Sequence, residues 1–308
     1  MGSQRYQLND LSNILQLGVL DQDPVLRAKH IQGNASFIDT CSGSGAVSIH
    51  LRQAGWLVQS IDSEPYAWYW NYYAMHCTNE SLEEELKRYR ELQGIPMEVC
   101  VVDWWNNMLK QSNGAKPHFE KHYAPNDSCT RMYYQPHVAR WIDNALHMHT
   151  TYSWEDTPLL HAFFVSEVLQ AMIKAANTSG TMKSFYSQWG GPTGHRLNDI
   201  TQCPSIRPIW SIAGPVGEAL VQDATTFKAP DQTDVIYFNP PSSVHQYASC
   251  YHLLNVFVNG DYKEPKSSEL HGGKSGISSD AYSSPFSKYT TVTQAWNQWI
   301  EQAQMQAS

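Results

Sequence analysis

Residues 36–62, SFIDTCSGSGAVSIHLRQAGWLVQSID, admit few architectures. Phe37-Ile38 reads as a short buried strand. A glycine-bearing turn follows at 41–45. Residues 46–53 read as a helix that Gly55 stops, and WLVQSID as a second strand with an acidic end. EPYAWYWNYYAMH then starts a helix with proline in its first turn. A strand–helix–strand–helix run opens a parallel α/β sheet.

The rest of the chain has fewer strand signals. Residues 6–30 read as one or two short lead-in helices, and 80–94 as a charged helix. The middle, about 95–205, mixes loops and helices, the clearest helix lying in 158–180, where apolar positions recur at three and four. Strand signals return in SIAGPVGEALVQDA and in DVIYFNPP, which reads as a buried strand. A polar, Gly/Ser-rich stretch at 263–285 reads as an exposed loop. A final helix, TVTQAWNQWIEQAQ, follows.

Composition narrows the function classes. The chain has 308 residues, 42% of them apolar, so one large or two smaller domains with a sizeable core are expected. Its apolar runs are much shorter than the roughly 20 residues that cross a bilayer. MGSQRYQLNDLSN lacks a charged-then-apolar leader layout, so no membrane and a cytoplasmic location are expected. The six cysteines form no CxxC pair and read as reduced thiols that fill the core. His147 and His149 form an HxH pair without a carboxylate or cysteine at ligand spacing, so no metal site is expected. A net charge of −8 disfavours nucleic acid. Local cations at Lys183, His195, Arg196 and Arg207 allow it, although an ordinary solvated surface explains them too.

A parallel sheet binds ligands beyond the carboxyl ends of its strands. At such an end, Gly43 and Gly45 let the backbone turn sharply and approach a ligand closely. Asp62, at the next strand end, is placed to accept hydrogen bonds from a ribose diol. The loop lacks the third glycine of GxGxxG and has no GK[ST]. A nucleoside without a phosphate chain suits it, and S-adenosylmethionine suits it better than NAD or ATP. The alternative is a tight turn with Asp62 capping the following helix.

DVIYFNPPSS delivers Asn239, Pro240, Pro241 and Ser242 to the same sheet edge. Proline cannot continue a ladder, so the chain must leave the sheet there. An amine nucleophile needs two acceptors, and the Asn239 side-chain oxygen and the Pro240 carbonyl supply them. Positioning then provides much of the acceleration.

Taken together, these motifs resemble the Dam-like class of adenine-N6 DNA methyltransferases. The likeness rests on DTCSGSGAVS (39–48), DSEPY (62–66), RMYYQPHVARWIDNAL, the helix before AANTSGT, VQDA before the NPP strand, Gln246-Tyr247, YHLL (251–254) and FSKYTTVTQAWNQWI. It covers most of residues 36–300, in the family's order. It implies a Rossmann-like, S-adenosylmethionine-dependent α/β fold with an inserted, mostly helical target-recognition segment. The catalytic domain would comprise 1–95 and 206–308, and the insertion 96–205. Asp39, Cys41, Gly43, Gly45 and Asp62 would hold S-adenosylmethionine, with Asp223 near its adenine ring. Double-stranded DNA would be the partner, with the target base flipped out.

Three positions depart from the family. Asn239 replaces aspartate but keeps an oxygen acceptor. Ser242 replaces the aromatic residue that stacks on the base, leaving Phe238 or Tyr247 as substitutes; such stacking is worth about 1–3 kcal/mol. The N-terminal stretch 6–11, YQLNDL, lacks the family's lysine. A catalytically impaired homologue, acting as a cofactor- or DNA-binding partner, and cytosine-N4 methylation are the alternatives. Trp104, Trp105, Trp296 and Trp299 suggest a homo- or hetero-dimer contact, or core packing.

Overall fold

The structure is a computed structural model that describes residues 8–111, 114–241, 246–260, 262, 265, 276 and 282–306. Ser242, Tyr6-Gln7 and most of the Gly/Ser-rich stretch lie outside the described residues. The chain forms two compact units. One comprises Met1–Glu83, Trp210–Val244 and Ser284–Ser308; the other comprises Glu84–Ile209 and His245–Ser283. These limits stand beside the sequence-based ones at 95/96 and 205/206.

In chain order, α1 (Leu8–Asn13), a π-helical turn (Ile14–Leu20) and α2 (Pro24–Ile31) lead to β1 (Ser36–Asp39). Then come α3 (Ala46–Gln53), β2 (Leu57–Asp62), α4 (Pro65–His76) and α5 (Asn79–Gln93). Next are α6 (Val101–Lys110), α7 (His118–Tyr123), α8 (Pro136–Thr151), α9 (Pro158–Ala175) and α10 (Leu197–Thr201). β3 (Glu218–Val221), β4 (Val235–Tyr237), α11 (Tyr247–Cys250), α12 (His252–Asn259) and α13 (Val292–Gln306) complete the elements.

The first unit is built on one parallel sheet in the order β3-β2-β1-β4. β1 is flanked on both sides, so Phe37, Ile38 and Asp39 are all buried. Side chains alternate across it. Phe37 joins Leu15, Leu20, Val47, Leu51 and Trp56 in one cluster, while Ile38 meets Ile61 and Phe227 in another. α2 begins where Asp23 accepts from the N–H groups of Val25 and Leu26, with Pro24 in its first turn.

β4 is half-buried, not buried as its apolar run suggests, because it lies at a sheet edge among the described residues. Asp234, the acid before it, fastens its entry. Its carboxylate accepts from the Ser36 N–H at 2.9 Å, the Ser36 hydroxyl at 3.0 Å and the Lys29 ammonium at 2.7 Å. β3 is approached through Gly214 and Gly217. A Cβ at either would lie 2.1 Å from the Arg52 carbonyl or 2.2 Å from that of Val58. The fully buried Arg52 donates to the carbonyls of Pro215, Ala74, Cys77 and Gly214. It therefore ties α3, the end of α4 and the β3 approach together.

The second unit is mostly helical among its described residues. Tyr89, Trp105, Trp154, Phe163 and Phe164 form its aromatic centre. Its cations are largely engaged internally. Arg207 grips Glu167 through two nitrogens, at 2.8 and 2.7 Å, and Arg196 donates to the Lys174 and Thr178 carbonyls at the end of α9. Lys183 and His195 are exposed. His149 bonds His161 at 2.8 Å and approaches the Val258 carbonyl at 3.1 Å. Among the described residues, no group of three or more His, Cys, Asp or Glu could hold a metal ion. No helix among them is long and apolar enough to cross a membrane. All six cysteines are free thiols; Cys77, Cys129 and Cys250 are buried.

Candidate functional site

The site forms where four parallel strands end. β1 ends at Asp39, which is 1% exposed and accepts from the Ser48 hydroxyl of α3 at 2.8 Å. Burial, helped by the nearby Asp62 charge, raises the Asp39 pKa to about 7, against the opposing Ser48 hydrogen bond. Ser60, its neighbour in register on β2, is also buried.

The chain then turns over residues 40–45. Gly43 and Gly45 adopt left-handed backbone angles, with φ of 52° and 73°. The turn is fastened from three directions. The Gly45 N–H donates to the Ser42 carbonyl at 2.8 Å, the Ser42 N–H to the Ile61 carbonyl at 2.9 Å, and the Gly43 N–H to Asp62 Oδ2 at 2.8 Å. From α4, Asn71 donates to the Gly43 carbonyl at 3.2 Å and to the Ala67 carbonyl at 2.8 Å.

The two glycines differ. A Cβ on Gly45 would lie 2.7 Å from Asn71 Oδ1, whereas one on Gly43 would meet nothing within 4 Å. The turn is thus closed beneath Gly45 and open above Gly43. Ser42 Oγ and Asn71 Oδ1 are buried here without a hydrogen-bond partner among the described residues. Buried polar atoms are ordinarily satisfied. An open backbone turn with such orphaned atoms fits a polar ligand.

Asp62 ties the turn to α4: Oδ2 accepts from Gly43 and Oδ1 from the Glu64 N–H at 2.9 Å. Burial raises its pKa, with these amide bonds opposing. A carboxylate has about four lone-pair sites, so capacity remains for a ligand. Asp223 stands two residues past β3, accepting from the Thr225 N–H at 2.8 Å and its hydroxyl at 2.7 Å. Next to it, the Gln222 N–H donates to the Asp62 carbonyl at 2.9 Å, joining the β2 and β3 tips. Burial, and then the charges of Asp62, Asp39 and Asp223, push the Cys41 thiol well above its ordinary pKa. Cys41 is therefore an uncharged thiol among three acids.

The β4 tip adjoins this turn. Asp39 and Tyr237 pair in register, and Thr40 donates to the Tyr237 carbonyl from its N–H at 3.1 Å and its hydroxyl at 3.0 Å. Asn239 follows, half-buried, then the buried Pro240 and half-buried Pro241. The Tyr237 phenol is raised in pKa by burial and next by the Asp39 charge, while a hydrogen bond with the Asn239 side chain opposes the shift. The structure thus brings Asp39, Cys41, Gly43, Gly45, Asp62 and Asp223 to one sheet edge, with Asn239 linked to it through Tyr237.

Phe238 points to other neighbours. Its ring stacks on Trp299 at 3.9 Å and 7°, with Phe286 and Trp296 each 5.2 Å away. Tyr247 lies in the second unit on α11, 36% exposed and 6.0 Å from the Tyr251 ring. Of the tryptophans, Trp105 is core and Trp299 packs on Phe238, while Trp296 is exposed.

Sequence reasoning missed Ser48, Glu64, Asn71 and Tyr237. Tyr237 had a usable signal: two residues before Asn239 on a strand means the same face. Asn71 had a weaker one, an amide one helical turn from Ala67 in an otherwise aromatic helix.

No family model matches the chain, and no solved structure matches it. Three curated relatives do. Type II methyltransferase M.FokI of Planomicrobium okeanokoites is 24% identical over 313 residues, 98% of this chain and 42% of the relative. Type II methyltransferase M.NlaIII of Neisseria lactamica is 26% identical over 162 residues, 51% of this chain and 44% of the relative. Modification methylase StsI of Streptococcus sanguinis is 25% identical over 151 residues, 47% of this chain and 21% of the relative. The chain thus spans less than half the length of each. The mixed α/β architecture with its parallel sheet fits a methyltransferase fold, in keeping with the names of these relatives.

Proposed function

We propose that the protein transfers a methyl group from S-adenosylmethionine to the exocyclic N6 amine of adenine in double-stranded DNA, as the Dam-like resemblance implies. The observation that carries this reading is the junction of two strand tips. Thr40, at the head of the glycine turn, is bonded twice to Tyr237, two residues before Asn239.

In this reading the open face of Gly43 and the Ser42 hydroxyl receive the cofactor, with Asp39, Asp62 and Asp223 as hydrogen-bond acceptors and anionic partners around it. Cys41 and Gly45 shape the turn. S-adenosylmethionine, when bound, supplies an electrophilic methyl group on a sulfonium. Asn239 Oδ1 and the Pro240 carbonyl accept from the two amine protons and so orient the nitrogen lone pair. The two prolines fix the backbone that aims them. No strong base is needed, since orientation provides most of the acceleration. Pro241 and Ser242 complete the motif. Target recognition belongs to the second unit, and the base is flipped out of the duplex.

The test is incubation with labelled S-adenosylmethionine and duplex DNA, followed by digestion and identification of the modified nucleoside. N6-methyladenine is the expected product. N4-methylcytosine would move the acceptor to another amine. Cofactor binding without transfer would mark an impaired homologue, and no cofactor binding would overturn the reading.

A further inference from the structure

Asn71 is an anomaly in its helix. α4 is mostly aromatic, yet this carboxamide lies within it at 2% exposure. A buried amide ordinarily has its polar groups satisfied. Asn71 directs Nδ2 at two carbonyls: that of Ala67, one turn earlier in α4, at 2.8 Å, and that of Gly43, in the turn after β1, at 3.2 Å. A flipped carboxamide would set its oxygen against those two oxygens, so the orientation is fixed. Oδ1 is left on the Gly45 side, without a partner among the described residues.

The Gly43 carbonyl needs such a hold. The Gly45 N–H donates to the Ser42 carbonyl and closes a four-residue turn with Gly43 and Ser44 at its centre. That bond fixes the ends of the turn and leaves the plane of the central peptide open. Turn types I and II differ by the rotation of that one peptide. Glycine at the first central position, with φ of 52°, adds its own freedom. Asn71 supplies the missing restraint, because the carbonyl it binds belongs to the central peptide. In a planar trans peptide the carbonyl and the following N–H point opposite ways. With the Gly43 carbonyl drawn toward α4, the Ser44 N–H faces away from α4. It has no hydrogen-bond partner among the described residues.

We infer that Asn71 is a positioning residue of the glycine turn: its carboxamide holds the Gly43 carbonyl toward α4 and so presents the Ser44 N–H as a donor to the bound cofactor. This deepens the methyl-transfer reading and rests on its assignment of S-adenosylmethionine to the turn.

Calorimetric titration with S-adenosylmethionine tests it. Asn71→Leu removes the donor and keeps the bulk; Asn71→Ala is the second variant should the first not fold. Each is titrated well below its melting midpoint. The Kd should rise about tenfold or more, with the number of sites per chain unchanged, because a loosened turn must be ordered by the ligand. A merely structural role would instead reduce the fraction of competent protein. The number of sites would then fall at an unchanged Kd, and that result would overturn the proposal. A native Kd with native stoichiometry would overturn it as well.

A second readout needs no cofactor. In ligand-free protein labelled with 15N-glycine, amide hydrogen exchange is followed at Gly43 and Gly45, whose N–H groups bond Asp62 and the Ser42 carbonyl. Both should exchange about tenfold faster in the variant, relative to glycines elsewhere in the chain. Unchanged exchange would refute the hold on the turn. If the native protein binds no S-adenosylmethionine, the functional reading fails, and the exchange rates still decide whether Asn71 holds the turn.

Discussion

Thr40 and Tyr237, 197 residues apart, are joined by two hydrogen bonds to one carbonyl, at 3.0 and 3.1 Å. The first residue begins the glycine turn after β1, and the second ends β4. A sheet ordered β3-β2-β1-β4 makes these two strands neighbours. Residues 84–209, the longer part of the second unit, lie between these two strands in the chain. Asp234 then fixes the other end of β4 to Ser36 and Lys29. Both ends of the pairing are therefore held by side chains.

The two glycines of the turn should respond differently to alanine. Both pay for left-handed backbone angles, by about 1 kcal/mol. Gly45→Ala also drives a methyl group into Asn71 Oδ1, so a total loss of about 2–3 kcal/mol is expected in urea unfolding. Gly43→Ala meets no neighbour. It should lose only about 1 kcal/mol yet weaken S-adenosylmethionine binding about tenfold or more, as read by calorimetry. Equal binding losses in two equally stable variants would contradict the difference between the two positions.

Asp39 gives cofactor affinity a pH dependence. Burial holds its pKa at about 7. The anion, which attracts a cationic ligand, is the minor form at pH 6 and the major form at pH 8. Affinity for S-adenosylmethionine should rise about tenfold over that interval, and Asp39→Asn should flatten the rise. The stability linkage has the opposite sign. The folded-state pKa lies above the ordinary value of about 3.9, so the Asp39 contribution to folding is full below that pH and is lost as pH rises toward 7. Calorimetry and urea unfolding across pH 4–8 check the two signs independently.

Arg52 supports the site from beneath. Its buried guanidinium, whose pKa is lowered by burial, serves carbonyls of α4 and of the approach to β3. Arg52→Met leaves those carbonyls without their donors. A loss of about 3 kcal/mol or more is expected. The measurement is urea unfolding of native and variant protein.

Phe238 separates packing from base stacking. With its ring against Trp299, Phe238→Ala should cost about 3 kcal/mol of stability. Its S-adenosylmethionine affinity should stay within about threefold of native, since the ring packs on Trp299, Phe286 and Trp296. Thermal melting with and without cofactor reads both quantities.

What was legible in the sequence was what local chemistry decides. The run from β1 to α4 announces itself through short apolar segments, a glycine turn and Pro65. α9 does so through its apolar period, and it ends at Ala175, just before the expected stop. β3 was blurred over fourteen residues, although only Glu218–Val221 pair, because its partner β2 lies far away in sequence. β4 looked buried because Val235, Ile236, Tyr237 and Phe238 are apolar; edge position cannot be read from composition. Within the site, the acids and glycines stood out by residue type. Asn71 and Tyr237 did not, because their roles come from partners that the fold supplies. Asp62 was read as a ribose acceptor; that each of its oxygens also receives a backbone N–H was not legible. The direction of an amide hydrogen is invisible until the turn is built.

The most direct test of a shared site is the split between binding and turnover in Asn239→Ala. Cofactor binding by calorimetry and methyl transfer to duplex DNA are measured on the same preparation. The expected result is an S-adenosylmethionine Kd within about threefold of native with transfer reduced at least about a hundredfold, since only the amine acceptor is lost. Full transfer by the variant would contradict the account, because the tip that Thr40 holds beside the glycine turn would then play no part in the chemistry.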